Sequence, residues 1–309
     1  MAYSEIPRIL VAGAHSGSGK TTLTLALVAA LRRRGLAVQT FKVGPDYLDP
    51  TWLTAASGRP CYNLDGWMCD REYVTGLFSR VARNADIAVI EGVMGLFDGA
   101  EAAGISGSSA EIAGWLSAPV LLVVNALGLA RSIAPMTSGF SGIDGEVRIC
   151  GVIANQIGSE RHQAILAEAL RAAGLPPLFG GVPRGGAPAL PSRHLGLVTA
   201  DGAKNCSSVV LDVFADTAER HLDLNGILAV SRRVSSTCPA ERVEERSAVP
   251  PMHSVRLAVA LDDAFHFYYQ DLFDELSARG CTILYFSPLR DEALPPEIDA
   301  LYLLSLIHI

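Results

Sequence analysis

The sequence has no run of eighteen apolar residues, the minimum for a helix that spans a bilayer, so a membrane is not an expected partner. Its opening, MAYSEIPRIL, lacks the basic stretch followed by an apolar one that marks a secretory leader. Six cysteines (61, 69, 150, 206, 238 and 281) form no CxxC pair and no metal-ligand spacing, which leaves them as small hydrophobes in a reduced, cytoplasmic setting. Basic blocks are scarce. Arg32-Arg33-Arg34 stands alone in a chain of net charge −7, so nucleic acid is not an expected partner either. No internal repeat and no low-complexity tract is found.

What is present is a core-rich chain of 309 residues, 50% hydrophobic and 18% charged, long enough for one large domain or two ordinary ones. The most informative stretch is ILVAGAHSGSGKTTLT, residues 9–24. Ile9 to Ala12 read as a buried strand, Gly13, Gly17 and Gly19 as a turn, and Lys20-Thr21-Thr22 as the opening of an apolar-periodic helix over Leu23–Leu31. Glycines let successive N–H groups converge on a polyphosphate, and the helix N-terminus adds partial positive charge. Lys20 would reach the β- and γ-phosphates, and the Thr21 hydroxyl would hold Mg²⁺. The strict phosphate-loop pattern wants glycine where Ala14 stands; Gly13 lies one residue further back. The expectation is a nucleoside triphosphate site. The three arginines that follow suit the negative end of the helix.

Further strands are expected at Ala37–Phe41, Ile87–Ile90, Val120–Val124, Ile149–Ala154 and Leu178–Val182. Helices are expected up to Leu116, near Arg131–Gly139, over Ser159–Ala173 and over Val209–Val230. Such alternation implies an α/β fold with a doubly wound, mostly parallel sheet. Two strands run into dense polar segments. The first is GPDYLDP (44–50), read as loop because two prolines interrupt it; the second is EGVMGLFDG (91–99). Both lie at the carboxyl edge, where open α/β sheets bind ligands. Glu91, delivered by four apolar residues, is a candidate Mg²⁺ partner opposite Thr21.

Composition shifts at 231–254, a polar, proline-bearing stretch read as a linker between a domain at 1–230 and a remainder at 255–309. In the remainder, strands are expected at Val255–Leu261, Thr282–Phe286 and from Leu301, with a helix at Tyr268–Ala278. Fifty-five residues are too few for an independent doubly wound domain of ~100–150 residues, so a partial second α/β domain is expected.

Taken in order, SGSGKTT (16–22), FKVGPDYLDP (41–50), NLDGWM (63–68), EGVMGLFDG (91–99), Gly151-Val152-Ile153 with Asn155, and RHLGL (193–197) resemble the ATP-binding domain of the cobyrinic acid a,c-diamide synthases over about residues 6–303. The resemblance implies a phosphate-loop NTPase fold of the dethiobiotin-synthetase-like type. It also implies ATP and Mg²⁺ as cofactors, a corrinoid substrate, and ammonia or glutamine as nitrogen source; a homodimer is compatible with it. Activity in the family is amidation of ring-side-chain carboxylates through an acyl phosphate. Carried over by position, Lys20 and Lys42 would act on the transferred phosphoryl group. Ser16, Gly17, Ser18, Gly19, Lys20, Thr21, Thr22 and Asn155 would bind nucleotide, Asn155 matching the adenine-reading position. Thr21, Asp46 and Glu91 would hold Mg²⁺; Tyr47, Asp49 and Asp98 lie in the substrate loops.

Departures from the family pattern are His15 in place of a small polar residue, Asn125 for Asp, Leu127 for Arg and Ser192 for Glu. After 303 the text LSLIHI no longer resembles the family, and no cysteine falls at the glutaminase nucleophile position. Residues 255–309 are therefore read as an incomplete glutamine amidotransferase-like domain, and this polypeptide is expected to use free ammonium but not glutamine. Rival readings are a switch ATPase of the partition or cell-division type, a dethiobiotin-synthetase-like carboxylase, a nickel-sirohydrochlorin a,c-diamide synthase and a non-enzymatic fragment. The switch ATPases carry a lysine where His15 stands.

Overall fold

In a computed structural model, the described residues are 6–188, 208–233 and 255–304. RHLGL (193–197), Ser192 and most of the expected linker lie outside them. The chain begins with β1 (Arg8–Gly13), α1 (Lys20–Arg33) and β2 (Val38–Val43), then α2 (Asp49–Ser57), β3 (Tyr62–Leu64) and α3 (Arg71–Ala82). It continues through β4 (Ile87–Gly95), α4 (Ser109–Trp115), β5 (Val120–Asn125), α5 (Ile133–Gly142), β6 (Ile149–Ile157), α6 (Glu160–Ala172) and β7 (Leu178–Pro183). Helices α7 (Ser208–His221) and α8 (Leu224–Ser231) follow.

β1 to β7 form one parallel sheet in the order β3-β2-β4-β1-β5-β6-β7. Alternate residues of β1 serve opposite faces, as a strand's twofold period dictates. Ile9 and Val11 pack with α1 and α7 residues such as Leu27 and Phe214, whereas Leu10 and Ala12 join Phe78 of α3 and Ile112 of α4. Both faces are covered, which explains the near-continuous apolar strands.

Several elements differ from expectation for local reasons. Segment 44–50 is not all loop: α2 starts at Asp49 and places Pro50 in its first turn, where a missing N–H costs nothing. β4 does not end at Ile90. Pairing with β1 continues to Gly95, so Glu91 is a strand residue rather than a loop residue. The expected helix 209–230 breaks at 222–223, where Leu222 bridges Gly180 and the Asp223 carboxylate caps α8 through the Gly226 N–H at 2.9 Å. Helix α3 and the short β3 lie outside the expected elements. Nor do Arg32–Arg34 merely cap α1. Arg32 donates to the carbonyls of Ala55 and Ala56, Arg33 pairs with Asp216 at 2.7 Å, and Arg34 donates to Asn225, which ties α2, α7 and α8 to α1.

The C-terminal unit comprises β8 (Arg256–Ala260), α9 (Gln270–Ala278), β9 (Thr282–Phe286) and β10 (Ala300–Tyr302) in a parallel sheet of order β10-β8-β9. Cys281 immediately precedes β9. This unit touches the large sheet's domain through three phenol-to-carboxylate bonds. Tyr62 donates to Asp274 at 2.7 Å, Tyr73 to Asp271 at 2.6 Å and Tyr269 to Asp65 at 2.6 Å. No described helix is long and apolar enough to cross a membrane.

Burial, and then the adjoining carboxylates, raise the pKa of Tyr62, Tyr73 and Tyr269 above the ordinary phenol value. A folded pKa above the unfolded one stabilises fully below pH ~10 and is lost as pH climbs beyond it. A spectrophotometric phenolate titration should show a delayed group of tyrosines in the native chain. That delay should vanish in urea.

Candidate active site

Gly19, whose φ of +93° is left-handed, immediately precedes α1, and Gly17 at +80° turns the preceding loop. Neither conformation suits a side chain. Gly19 has no side chain to cap the helix and the first turn of α1 carries no acidic residue, which suits a helix N-terminus that receives an anion. Ser16 and Gly17 are exposed on the loop and Ser18 is buried with no hydrogen-bond partner for its hydroxyl. Lys20 is buried at the helix start, and Thr21 and Thr22 are half-buried beside it. His15 points to solvent. Asn155, from the end of β6, donates its amide to the Ser18 carbonyl at 3.0 Å, and a Cβ on Gly19 would meet that amide nitrogen at 2.1 Å. In this structure Asn155 braces the loop from behind.

Because β4 lies between β1 and β2, Glu91 is the register partner of both Val11 and Lys42. Lys42 Nζ donates to Asp49 Oδ2 at 2.5 Å, Glu91 Oε1 at 3.1 Å and the Gly92 carbonyl at 3.3 Å, and pairs with Asp46 Oδ2 at 3.4 Å. The Thr21 hydroxyl donates to Glu91 Oε1 at 2.5 Å and to Asp49 Oδ2 at 3.4 Å. Lys42 and Glu91 are 1% and 0% exposed, so neither charge is relieved by water. Burial alone would lower the pKa of Lys42, but Glu91, Asp49 and Asp46 together hold it above the ordinary lysine value. Burial pushes Glu91 up to about 7 against the opposing pull of Lys42.

Thr21, Lys42, Asp46 and Glu91, expected from the sequence, thus converge at one sheet edge. Asp49, expected in a substrate loop, joins them, and it rather than Asp46 stands beside Thr21. Asp46 Oδ1 instead accepts from the N–H groups of Leu48 and Asp49, both at 3.0 Å, and so shapes the entry to α2. The spacing Asp46-x-x-Asp49 at a helix start was the available signal. Tyr47 is half-buried, stacked on Tyr269 at 5.2 Å and edge-on to Phe267 at 5.4 Å. Asp98 is exposed and accepts from the Gly95 N–H at 2.8 Å. Asn125 accepts from the Leu127 N–H, a turn that needs no charge.

Among the described residues no three His, Cys, Asp or Glu side chains are arranged as a metal cage; the carboxylates are gathered on Lys42. Magnesium rarely uses a cage. It binds through one or two carboxylates and substrate phosphates. Glu91 Oε2 is buried without a hydrogen-bond partner beside the Thr21 hydroxyl, and such hard oxygens fit that ion.

A parallel sheet, a glycine loop opening a helix, and acids from the neighbouring strand β4 and the start of α2 define a phosphate-loop nucleotide-binding protein. The sequence model of the CbiA family, the CobQ/CobB/MinD/ParA nucleotide binding domain, matches residues 9–197, and the chain belongs to that family. Cobyrinate a,c-diamide synthase of Syntrophotalea carbinolica is 54% identical over 96% of this chain, and that of Dehalococcoides mccartyi (strain CBDB1) 41% over 97%. Hydrogenobyrinate a,c-diamide synthase of Brucella ovis is 44% identical over 95%. The chain spans 64% of the length of the first two and 66% of the third.

Removing the buried ammonium would take away the ion pair that Asp46, Asp49 and Glu91 share. Lys42→Met is expected to cost about 3–5 kcal/mol at pH 8, read from urea unfolding, with the deficit shrinking as acid protonates Glu91. Gly19→Ala is expected to displace Asn155 and weaken ATP binding at least tenfold, measured by calorimetry, because the loop loses both its left-handed turn and its brace.

Proposed function

We propose that the chain carries the ATP-dependent half of a carboxylate amidation, acting on the a and c side chains of cobyrinic or hydrogenobyrinic acid in cobalamin biosynthesis. The observation that carries this reading is the gathering of Thr21, Lys42, Asp49 and Glu91 behind the phosphate loop at one sheet edge. The names of the relatives support the choice of acceptor, and the Brucella ovis relative is why the cobalt-free macrocycle is included.

A carboxylate is a poor electrophile at neutral pH, and a phosphoryl group gives it a leaving group. The protein's task is to hold two anions in line and neutralise them. The loop from Ser16 to Thr22 holds the polyphosphate with its N–H groups, and Lys20 offsets charge on the transferred group. Lys42, kept protonated by its three acids, maintains the buried carboxylates in place and gives the site a second cation. Thr21, Asp49 and Glu91 would hold Mg²⁺, with Asp46 fixing the segment that carries Asp49. When bound, that ion would neutralise charge on the transferred phosphoryl oxygens. To Tyr47 and Asp98, on flanking loops, this reading assigns contact with the acceptor. Ammonia then attacks the acyl phosphate, expelling phosphate and forming the amide. Ammonia from solution, a cytoplasmic setting and a homodimer belong to the same reading.

The test is a label transfer. With ATP, Mg²⁺ and ammonium, cobyrinic acid carrying heavy oxygen in its carboxylates should pass one label to inorganic phosphate for each amide formed, detected by mass spectrometry. Amide formation with unlabelled phosphate would exclude the acyl phosphate. ATP hydrolysis with no change in macrocycle mass would favour a switch ATPase.

A further inference from the structure

The loop after β3 exposes two large apolar side chains in succession, Trp67 at 66% and Met68 at 68%. Isolated apolar residues on a surface mean little, but a neighbouring indole and thioether on a braced turn call for a reason. The turn is braced. Asp65, only 2% exposed, accepts from the N–H groups of Trp67 at 2.9 Å and Met68 at 3.1 Å through Oδ1. Its Oδ2 accepts from the Tyr269 hydroxyl at 2.6 Å, and that hydroxyl also lies 4.0 Å from Met68 Sδ.

The turn also sits on the active rim. Gly44 N–H donates to the Leu64 carbonyl, and the Asn63 amide donates to the carbonyls of Gly44 and Asp46 at 2.9 and 2.8 Å, which joins β3 to the loop leading into Lys42's acids. On the other side, Trp67 and Ala100 both border the space at Gly107, in the segment that follows Asp98. The β3 strand and the turn that follows it thus adjoin both segments: Asn63 and Leu64 hold the loop at 44–46, and Trp67 borders Gly107. Tyr269, from the C-terminal unit, reaches both of its neighbours: its hydroxyl holds Asp65 and its ring stacks on Tyr47.

We propose that Trp67 and Met68 form an apolar shelf for the face of the acceptor macrocycle, and that Tyr269 is the positioning residue that fixes this shelf through Asp65. The proposal rests on the function proposed above. An indole face and a polarizable sulfur both suit a conjugated ring system, whose acid arms then extend over the rim toward Thr21 and Lys42. A loop so built holds the ring without touching nucleotide, so acceptor and ATP affinities separate.

The full chain is assayed with ATP, Mg²⁺, ammonium and cobyrinic acid. Trp67→Ala is expected to raise the acceptor KM about five- to tenfold, the scale of one lost aromatic contact. The ATP KM and the thermal midpoint stay at wild-type values, and Trp67→Phe restores most of the acceptor affinity. Tyr269→Phe, which keeps the ring on Tyr47 but releases Asp65, is expected to raise the acceptor KM in the same direction with kcat less affected. An acceptor KM unchanged in Trp67→Ala, or a matching rise in the ATP KM, would overturn the shelf. So would a Trp67→Ala variant that changes only its oligomeric state, which would make this surface a protein contact. A wild-type chain that binds ATP but amidates no macrocycle brings down the functional reading and the shelf with it. A wild-type chain that amidates while the variants match it brings down the shelf alone.

Discussion

The architecture turns on one buried ammonium. Lys42 lies one residue before the end of β2 in a place that water does not reach, and such a charge is tolerable only when opposing charges and acceptors surround it. Asp46, Asp49 and Glu91 supply them from two different segments of chain. The loop into α2 curls back because two of those acids must meet Lys42, and β4 runs on past Ile90 with its acid facing the same point. What looks like three separate polar interruptions of an apolar sheet is a single charge cluster.

The cluster also links fold to chemistry. Thr21 contacts Glu91 and Asp49, so the first turn of the phosphate-loop helix is connected directly to β4 and to the start of α2. An ion or phosphate entering this place would meet groups already held by one another. Little rearrangement is then needed to create an electrostatic site, which is how preorganised dipoles and charges act on a reacting phosphoryl group.

Legibility in the sequence followed the range of the forces involved. The phosphate loop could be read because its signal is local: a strand, glycines at positive φ, and Lys-Thr opening a helix. Glu91 was visible as an acid behind an apolar run, yet its burial inside β4 depends on pairing with β1 as far as Gly95, which no local pattern announces. Asp49 changed neighbourhood because Pro50 starts a helix instead of extending a loop. Helix α3 did carry a readable period in Val74, Leu77, Phe78 and Ala82, behind the Asp70 cap. By contrast, β3 has three residues and too little text for any pattern. The tyrosine contacts of the C-terminal unit join residues 198 to 212 positions apart, and only tertiary structure brings them together.

The pairing of Lys42 with Glu91 has a consequence for how the sheet assembles. Apolar runs such as Ile87-Ala88-Val89-Ile90 are nearly degenerate in alignment, since any neighbour offers similar greasy contact. A slide of β4 by one residue would turn its acid to the opposite side and strand it in hydrocarbon away from the ammonium. The charge cluster therefore proofreads strand alignment, and a chain that folds in the wrong frame is penalised before any question of catalysis arises.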